Sequence, residues 1–242
     1  MRVLLFICMF FSASIFANNL NDLNYITESY PPFNYNENKE LKGLSIDVLE
    51  AATKAVGEPV SRSKIKLQPW ARGYDAALKG PKVALFATTR TEERESKFKW
   101  VGPIIATKVV VFSNKNVTVS DPSELGKYKI GVVRDDVGEA LLKKAGVPAS
   151  AMKVSPGADL LIKQLAAGRI DMLAYEQSVA THLMKAANVD PSKFNVAYTL
   201  SEGQLYYSLS SDTPDEYINK LQKGLDQISQ SGELDKIKSQ YQ

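Results

Sequence analysis

Short apolar runs alternate with amphipathic stretches along most of this chain. Residues 23–27 read as a first strand that runs into Glu28-Ser29-Tyr30-Pro31-Pro32-Phe33. The prolines stop the strand and hold the aromatic residues in an extended loop. After Gly43, the apolar positions Leu44, Ile46, Val48, Leu49 and Ala52 trace a helix ending near Gly57. A short strand at 65–67, a helix at 71–78 and a buried strand at 83–86 follow. Alternation of this kind predicts a largely parallel sheet covered on both faces.

A β-branched run at 108–112 leads into Asn114-Lys115-Asn116, which reads as a connector, and a second series begins. Strands are expected at 130–133, 172–174 and 194–198, with helices at 138–145, 158–166 and 176–187. The pattern changes again near Gly203: a strand at 205–209, a long amphipathic helix at 215–231, and a short restart at Gly232-Glu233-Leu234. Two α/β series divide the chain into two lobes, the first from 18–112 and 205–242, the second from 113–204. Connectors near 113–116 and 199–204 then make a double crossover, with a hinge and a crevice suited to a ligand.

The N-terminus has its own pattern. Met1-Arg2 is a short positive segment, Val3 to Phe11 is unbroken apolar sequence, and small residues follow up to Ala17. This reads as a signal peptide over 1–17, cleaved after Ala17, and is too short for a membrane span. The one cysteine, Cys8, lies inside it, so the remaining chain holds together by core burial rather than disulfides. Of the formal charge of +3, Arg2 supplies one unit, and the other basic residues are scattered, so nucleic-acid binding has no support. No metal-ligand spacing, phosphate-binding glycine loop or nucleophile motif is present, and no cofactor is expected. The single histidine, His182, falls in mid-helix and reads as surface or packing.

The most informative chemistry lies at Thr88-Thr89-Arg90-Thr91-Glu92-Glu93-Arg94, immediately after the strand at 83–86. A strand end that feeds a short helix offers N–H groups, hydroxyls and a guanidinium at one point, which suits a carboxylate. Spacing alone leaves open a second role, in which Arg94 pairs with Glu92 or Glu93 on a surface turn.

Taken in order, Tyr30-Pro31-Pro32-Phe33, Gly43-x-x-x-Asp47, Thr89-x-Thr91-x-Glu93-Arg94 with Phe98, Gly131-Val132-Val133, Gly168-Arg169-Ile170-Asp171, Gly232-Glu233-Leu234 and Tyr241 form a set. The set resembles bacterial periplasmic solute-binding proteins of the polar amino-acid type, family 3, which serve ABC importers. The resemblance implies a type II periplasmic-binding-protein-like α/β fold with two mixed sheets flanked by helices. It also implies a periplasmic monomer that hands an amino acid or small carboxylate to a membrane permease.

The same resemblance implies roles for particular residues. Arg94 clamps the ligand carboxylate, helped by Thr89 and the backbone at Ala87. Tyr30 and Phe33 sandwich the ligand side chain. Arg134 and the helix opening at Gly138 add to the carboxylate site, and Glu176 binds the α-amino group or else faces the helix dipole. Asp135-Asp136-Val137 stands where the family carries a loop of small residues; the acidic pair caps the helix or favours a cationic group. Trp70 and Arg72 sit at a strand-to-helix junction that opens on the crevice, with core packing the other role for Trp70. Glu28 faces a basic side chain or sits on the rim. Arg90 braces an acidic neighbour, and Trp100 is assigned to the core. Two further functions share this fold: a dehydratase of the cyclohexadienyl type, with Glu176 or Glu28 as the acid, and a sensing domain for a signalling partner.

Overall fold

The computed structural model describes residues 18–241; the expected signal peptide lies outside the described residues. Ten strands and seven α-helices are present among them. The strand β1 (Asn24–Thr27) is followed by a hairpin, β2 (Tyr35–Glu37) and β3 (Glu40–Lys42), and by α1 (Leu44–Ala55). Next come β4 (Lys66–Leu67), α2 (Trp70–Lys79), β5 (Val83–Thr89), a 3-10 turn at Glu92–Lys97 and the long β6 (Phe98–Ser113). The second series is β7 (Ile130–Val133), α3 (Val137–Lys144), β8 (Met152–Ser155), α4 (Ala158–Ala166), β9 (Met172–Glu176) and α5 (Gln177–Ala186). A second long strand, β10 (Asn195–Ser210), leads into α6 (Asp215–Gln230) and α7 (Glu233–Lys238).

The expected mixed α/β architecture is present, with one difference in connectivity. Instead of two separate sheets, hydrogen bonds join eight strands in the order β4-β1-β5-β10-β6-β9-β7-β8. The cause is the length of β6 and β10, which pair antiparallel along most of their course. One end of that ribbon carries β5, β1 and β4; the other carries β9, β7 and β8. Residues 199–204 therefore lie inside β10 rather than in a loop, with Glu202 opposite Lys108 and Gly203 opposite Thr107. Register shifts near Val196, Thr199 and Leu205 bend the ribbon where it passes between the halves. These irregularities, together with Gly102-Pro103, break the apolar alternation and hide a 16-residue strand from a periodicity argument.

The first half closes through its C-terminal helices. Helix α1 turns Leu44, Ile46, Val48, Leu49 and Ala52 inward against α6, whose buried face is Tyr217, Leu221, Leu225 and Ile228. Complete burial of each such aliphatic side chain contributes roughly 1.5–3 kcal/mol. The two helices touch closely because residue 224 is glycine: a Cβ there would lie 2.1 Å from the Ala52 carbonyl oxygen. Tyr241 ties the C-terminus to the same helix by donating its hydroxyl to Asp47 (2.5 Å), whose other oxygen accepts from Arg62 (2.7 Å). In the second half, Leu125, Ile130, Val132, Leu142, Met172 and Ala197 form a core of their own.

Candidate functional site: the cleft between the two halves

The cleft is built on the ends of β1, β5, β7 and β9. The 3-10 turn after β5 buries Arg94 to 3% exposure. Its guanidinium donates to the carbonyl oxygen of Thr89 (3.3 Å) and, across the cleft, to that of Asp135 (3.2 Å). Trp70 and Tyr74, four residues apart on one face of α2, form an aromatic bed beneath it, with ring centres 5.3 and 5.0 Å from the guanidinium carbon. The surface-turn alternative for Arg94 does not match this arrangement. Glu93 instead pairs with Lys97 (2.8 Å), and Glu92 reaches across to Lys144 (3.0 Å).

The facing wall is the turn between β7 and α3. Asp135 takes a left-handed backbone conformation (φ 58°), which aspartate tolerates better than most residues. Its N–H donates to Glu139 (2.7 Å), while its carbonyl accepts from both Arg94 and the Trp70 indole N–H (2.8 Å). Trp70 is thus both buried, as its packing role expects, and a strut across the cleft. Asp136, the N-cap residue of α3, is 5% exposed. The N–H groups of Val137 and Gly138 lie close enough to favour its charged form, but no hydrogen bond of capping geometry forms. One of its carboxylate oxygens is buried with no hydrogen-bond partner.

At the centre, Tyr30 meets Tyr175 edge-on from the opposite half, with ring centres 5.6 Å apart. Burial raises both phenols well above their ordinary range, and the charges of Glu28, Asp136 and Glu176 add to the rise. Burial raises the Glu28 carboxyl well above the usual range; Asp136 adds to the rise and Arg94 opposes it. Asp136 is also raised by burial, with Arg94 pulling the other way. Glu176, 1% exposed, is raised by burial despite accepting from the Val179 N–H (2.7 Å) at the start of α5. The helix-start role anticipated for Glu176 is therefore present, and its charge also opposes ionisation of Tyr30.

Other residues named from sequence fall into two groups. Thr89 and Ala87 are buried in β5 beside Arg94, and Phe33 is buried behind Tyr30, 5.8 Å between ring centres. Gly138 is buried in the first turn of α3, where a Cβ would stand 2.8 Å from the Ala174 carbonyl. Its place is explained by the close approach of α3 to β9. Arg134 and Arg72, by contrast, are exposed, and neither borders the two cavities that open beside Arg94 and Glu28. Arg134 lies in the turn just past the end of β7, where its side chain is exposed while its N–H bonds to the Ser155 carbonyl (2.9 Å). Arg72 follows Trp70 by two positions on α2, and residues two apart do not share a helix face.

Arg90 braces Glu95 (2.5 Å) and stacks on Trp100 and Tyr206 away from the cleft. Trp100 is half-buried in that stack rather than enclosed in the core, since its indole N–H reaches the Glu95 carbonyl near the surface. His182 is exposed beside Tyr35. Tyr74 was missed, although its four-residue spacing from Trp70 was a usable signal. Cavities of about 560 Å³, bordered by Arg94, Asp136 and Tyr74, and about 260 Å³, bordered by Glu28, Trp70 and Tyr175, open at the cleft.

Two α/β halves on a shared pair of long strands, with a buried arginine between them, define a two-lobed binding-protein fold. The sequence profile of the bacterial extracellular solute-binding proteins, family 3, matches residues 24–242, and the chain belongs to that family. Among curated relatives, a protein of Neisseria gonorrhoeae named "Probable histidine-binding protein" is 26% identical over 218 residues, covering 88% of this chain and 79% of the relative. Among solved structures, a histidine kinase sensor domain with similarity to periplasmic binding proteins superposes with a TM-score of 0.80 at 15% identity, covering 92% of this chain and 96% of that one. An ancestral arginine-binding protein bound to arginine gives 0.76 at 22% identity, covering 92% and 99%. These two structures establish the likeness of fold.

Proposed function

We propose that this protein is a periplasmic solute-binding protein. It captures an amino acid or a similar small carboxylate between its halves, closes on it, and presents it to an ABC importer. The observation that carries this reading is Arg94: a guanidinium buried at 3% exposure, held by two main-chain carbonyls and two aromatic rings, with no carboxylate in salt-bridge contact among the described residues. A buried cation so arranged is preorganised for an anionic group, and a guanidinium offers that group two parallel donors. Closure then removes water from both partners and strengthens their attraction. Isothermal titration with the common amino acids, repeated on Arg94→Ala, tests the reading. Saturable binding by the parent protein and its loss in the variant are expected; no binding of any amino acid would overturn it.

One observation favours a second reading, a dehydratase. Burial raises the proton affinities of the Glu28 and Glu176 carboxyls, Glu28 beside Arg94, as a general acid requires. Turnover of prephenate or arogenate, abolished in Glu28→Gln or Glu176→Gln, would replace capture with catalysis.

A further inference from the structure

The cleft's charge balance bears on which solute it takes. Arg94 lies beside two carboxyl groups, Glu28 from its own half and Asp136 from the facing one. Other nearby cations are committed elsewhere: Lys143 to Glu139 (2.6 Å), Lys144 to Glu92 (3.0 Å), Lys97 to Glu93 (2.8 Å) and Lys108 to Glu202 (2.9 Å). Arg134 and Arg72 point to solvent. A solute that brings only a carboxylate would add a third acidic group to this enclosure.

Asp136 provides the second, independent observation. It is 95% removed from solvent, and one carboxylate oxygen has neither a donor nor water-accessible surface. A buried charged acceptor without a partner is costly, and a donor supplied by a bound molecule relieves that cost. The residue stands at the start of α3, the part of the wall where N–H groups alone would favour an anion. Its carboxylate reverses the local preference and asks for a cation.

We infer that Asp136 makes the cleft selective for amino acids that carry an additional cationic group, the unpartnered oxygen of Asp136 accepting from an N–H of that solute. The inference rests on the capture reading above and deepens it. Glu28 shares the cation from the opposite half, Tyr30 and Tyr175 flank its stem, and Arg94 holds the solute carboxylate.

The test is a titration of the full-length folded chain with matched solutes: L-arginine and L-lysine as net cations, L-citrulline as the neutral isostere of arginine, L-glutamine, and L-glutamate. Arginine or lysine is expected to bind at least tenfold tighter than citrulline, glutamine and glutamate. In Asp136→Asn the cationic solutes should lose tenfold or more, while citrulline changes by less than threefold. The wild-type comparison of arginine with citrulline needs no variant, so a misfolded Asp136→Asn leaves the selectivity claim open to refutation; Glu28→Gln then serves as the second variant. Equal or tighter binding of citrulline, glutamine or glutamate overturns this inference and leaves the capture reading standing. An unchanged arginine-to-citrulline ratio in a folded Asp136→Asn overturns the role of Asp136. Binding of none of these solutes overturns this inference, while the capture reading falls only if the full set of common amino acids also fails to bind.

Discussion

Replacing Arg94 with alanine removes a group on which the unliganded cleft itself depends, and the size of the loss can be worked from its contacts. Two long charge-assisted bonds, to Thr89 and Asp135, contribute about 1.5 kcal/mol each, the low end for hydrogen bonds to a charged group. Stacking on Trp70 and Tyr74 adds roughly 0.5–2 kcal/mol. The variant also strips Glu28 and Asp136 of the cation that opposes their raised proton affinity. Breaking a buried charged arrangement by deleting one partner costs about 3–5 kcal/mol. These contributions overlap, and we expect a net loss of about 3–5 kcal/mol near pH 7.5.

The pH dependence follows from the direction of the shifts. Both carboxyls bind protons more tightly folded than unfolded, so the folded state holds more protons between the two affinities. Stability therefore falls as pH rises from the ordinary carboxyl range through the raised one. Without Arg94 the folded-state affinities rise further, so the deficit of Arg94→Ala should shrink on acidification to pH 5. Urea unfolding of both proteins at pH 5 and 7.5 measures this directly. At roughly 2–4 °C per kcal/mol for a domain of this size, the melting temperature at pH 7.5 should drop by about 6–20 °C. A variant within about 0.5 kcal/mol of the parent at pH 7.5, or a deficit that grows on acidification, would refute the reasoning.

Two other changes probe the frame around the site. Trp70→Phe deletes the 2.8 Å bond to the Asp135 carbonyl, a neutral interaction contributing about 1 kcal/mol, and should shift the balance between closed and open forms about fivefold toward open. Small-angle scattering of the unliganded protein would show a larger radius of gyration, and an unchanged radius would remove the strut role from Trp70. Gly224→Val drives a side chain into the Ala52 carbonyl and should cost at least about 1–3 kcal/mol through separation of α1 and α6. A thermal melt indistinguishable from the parent would show that the two helices are not in contact as described.

Much was legible in the sequence because it is local. Apolar spacing located helices 44–55, 70–79, 158–166 and 215–230 to within a residue or two, since an amphipathic face repeats within the element that carries it. The ordered motifs marked the turn that holds Arg94 and the aromatic Tyr30, because a strand-to-turn junction of prolines, threonines and charges has few other uses. Tertiary structure alone decided which charged residues face one another. Arg94 and Arg134 are alike in chemistry and both follow strands, yet one is buried between the halves and the other is exposed in the turn after β7. Asp136 reads in sequence as a helix cap beside Asp135. Only the approach of β1, β5 and α2 from the far half encloses it with Glu28 and Arg94 and leaves an oxygen without a donor. Burial and charge balance depend on residues a hundred or more positions apart, such as the long β6–β10 ribbon that brings the halves together. No window along the chain contains that information.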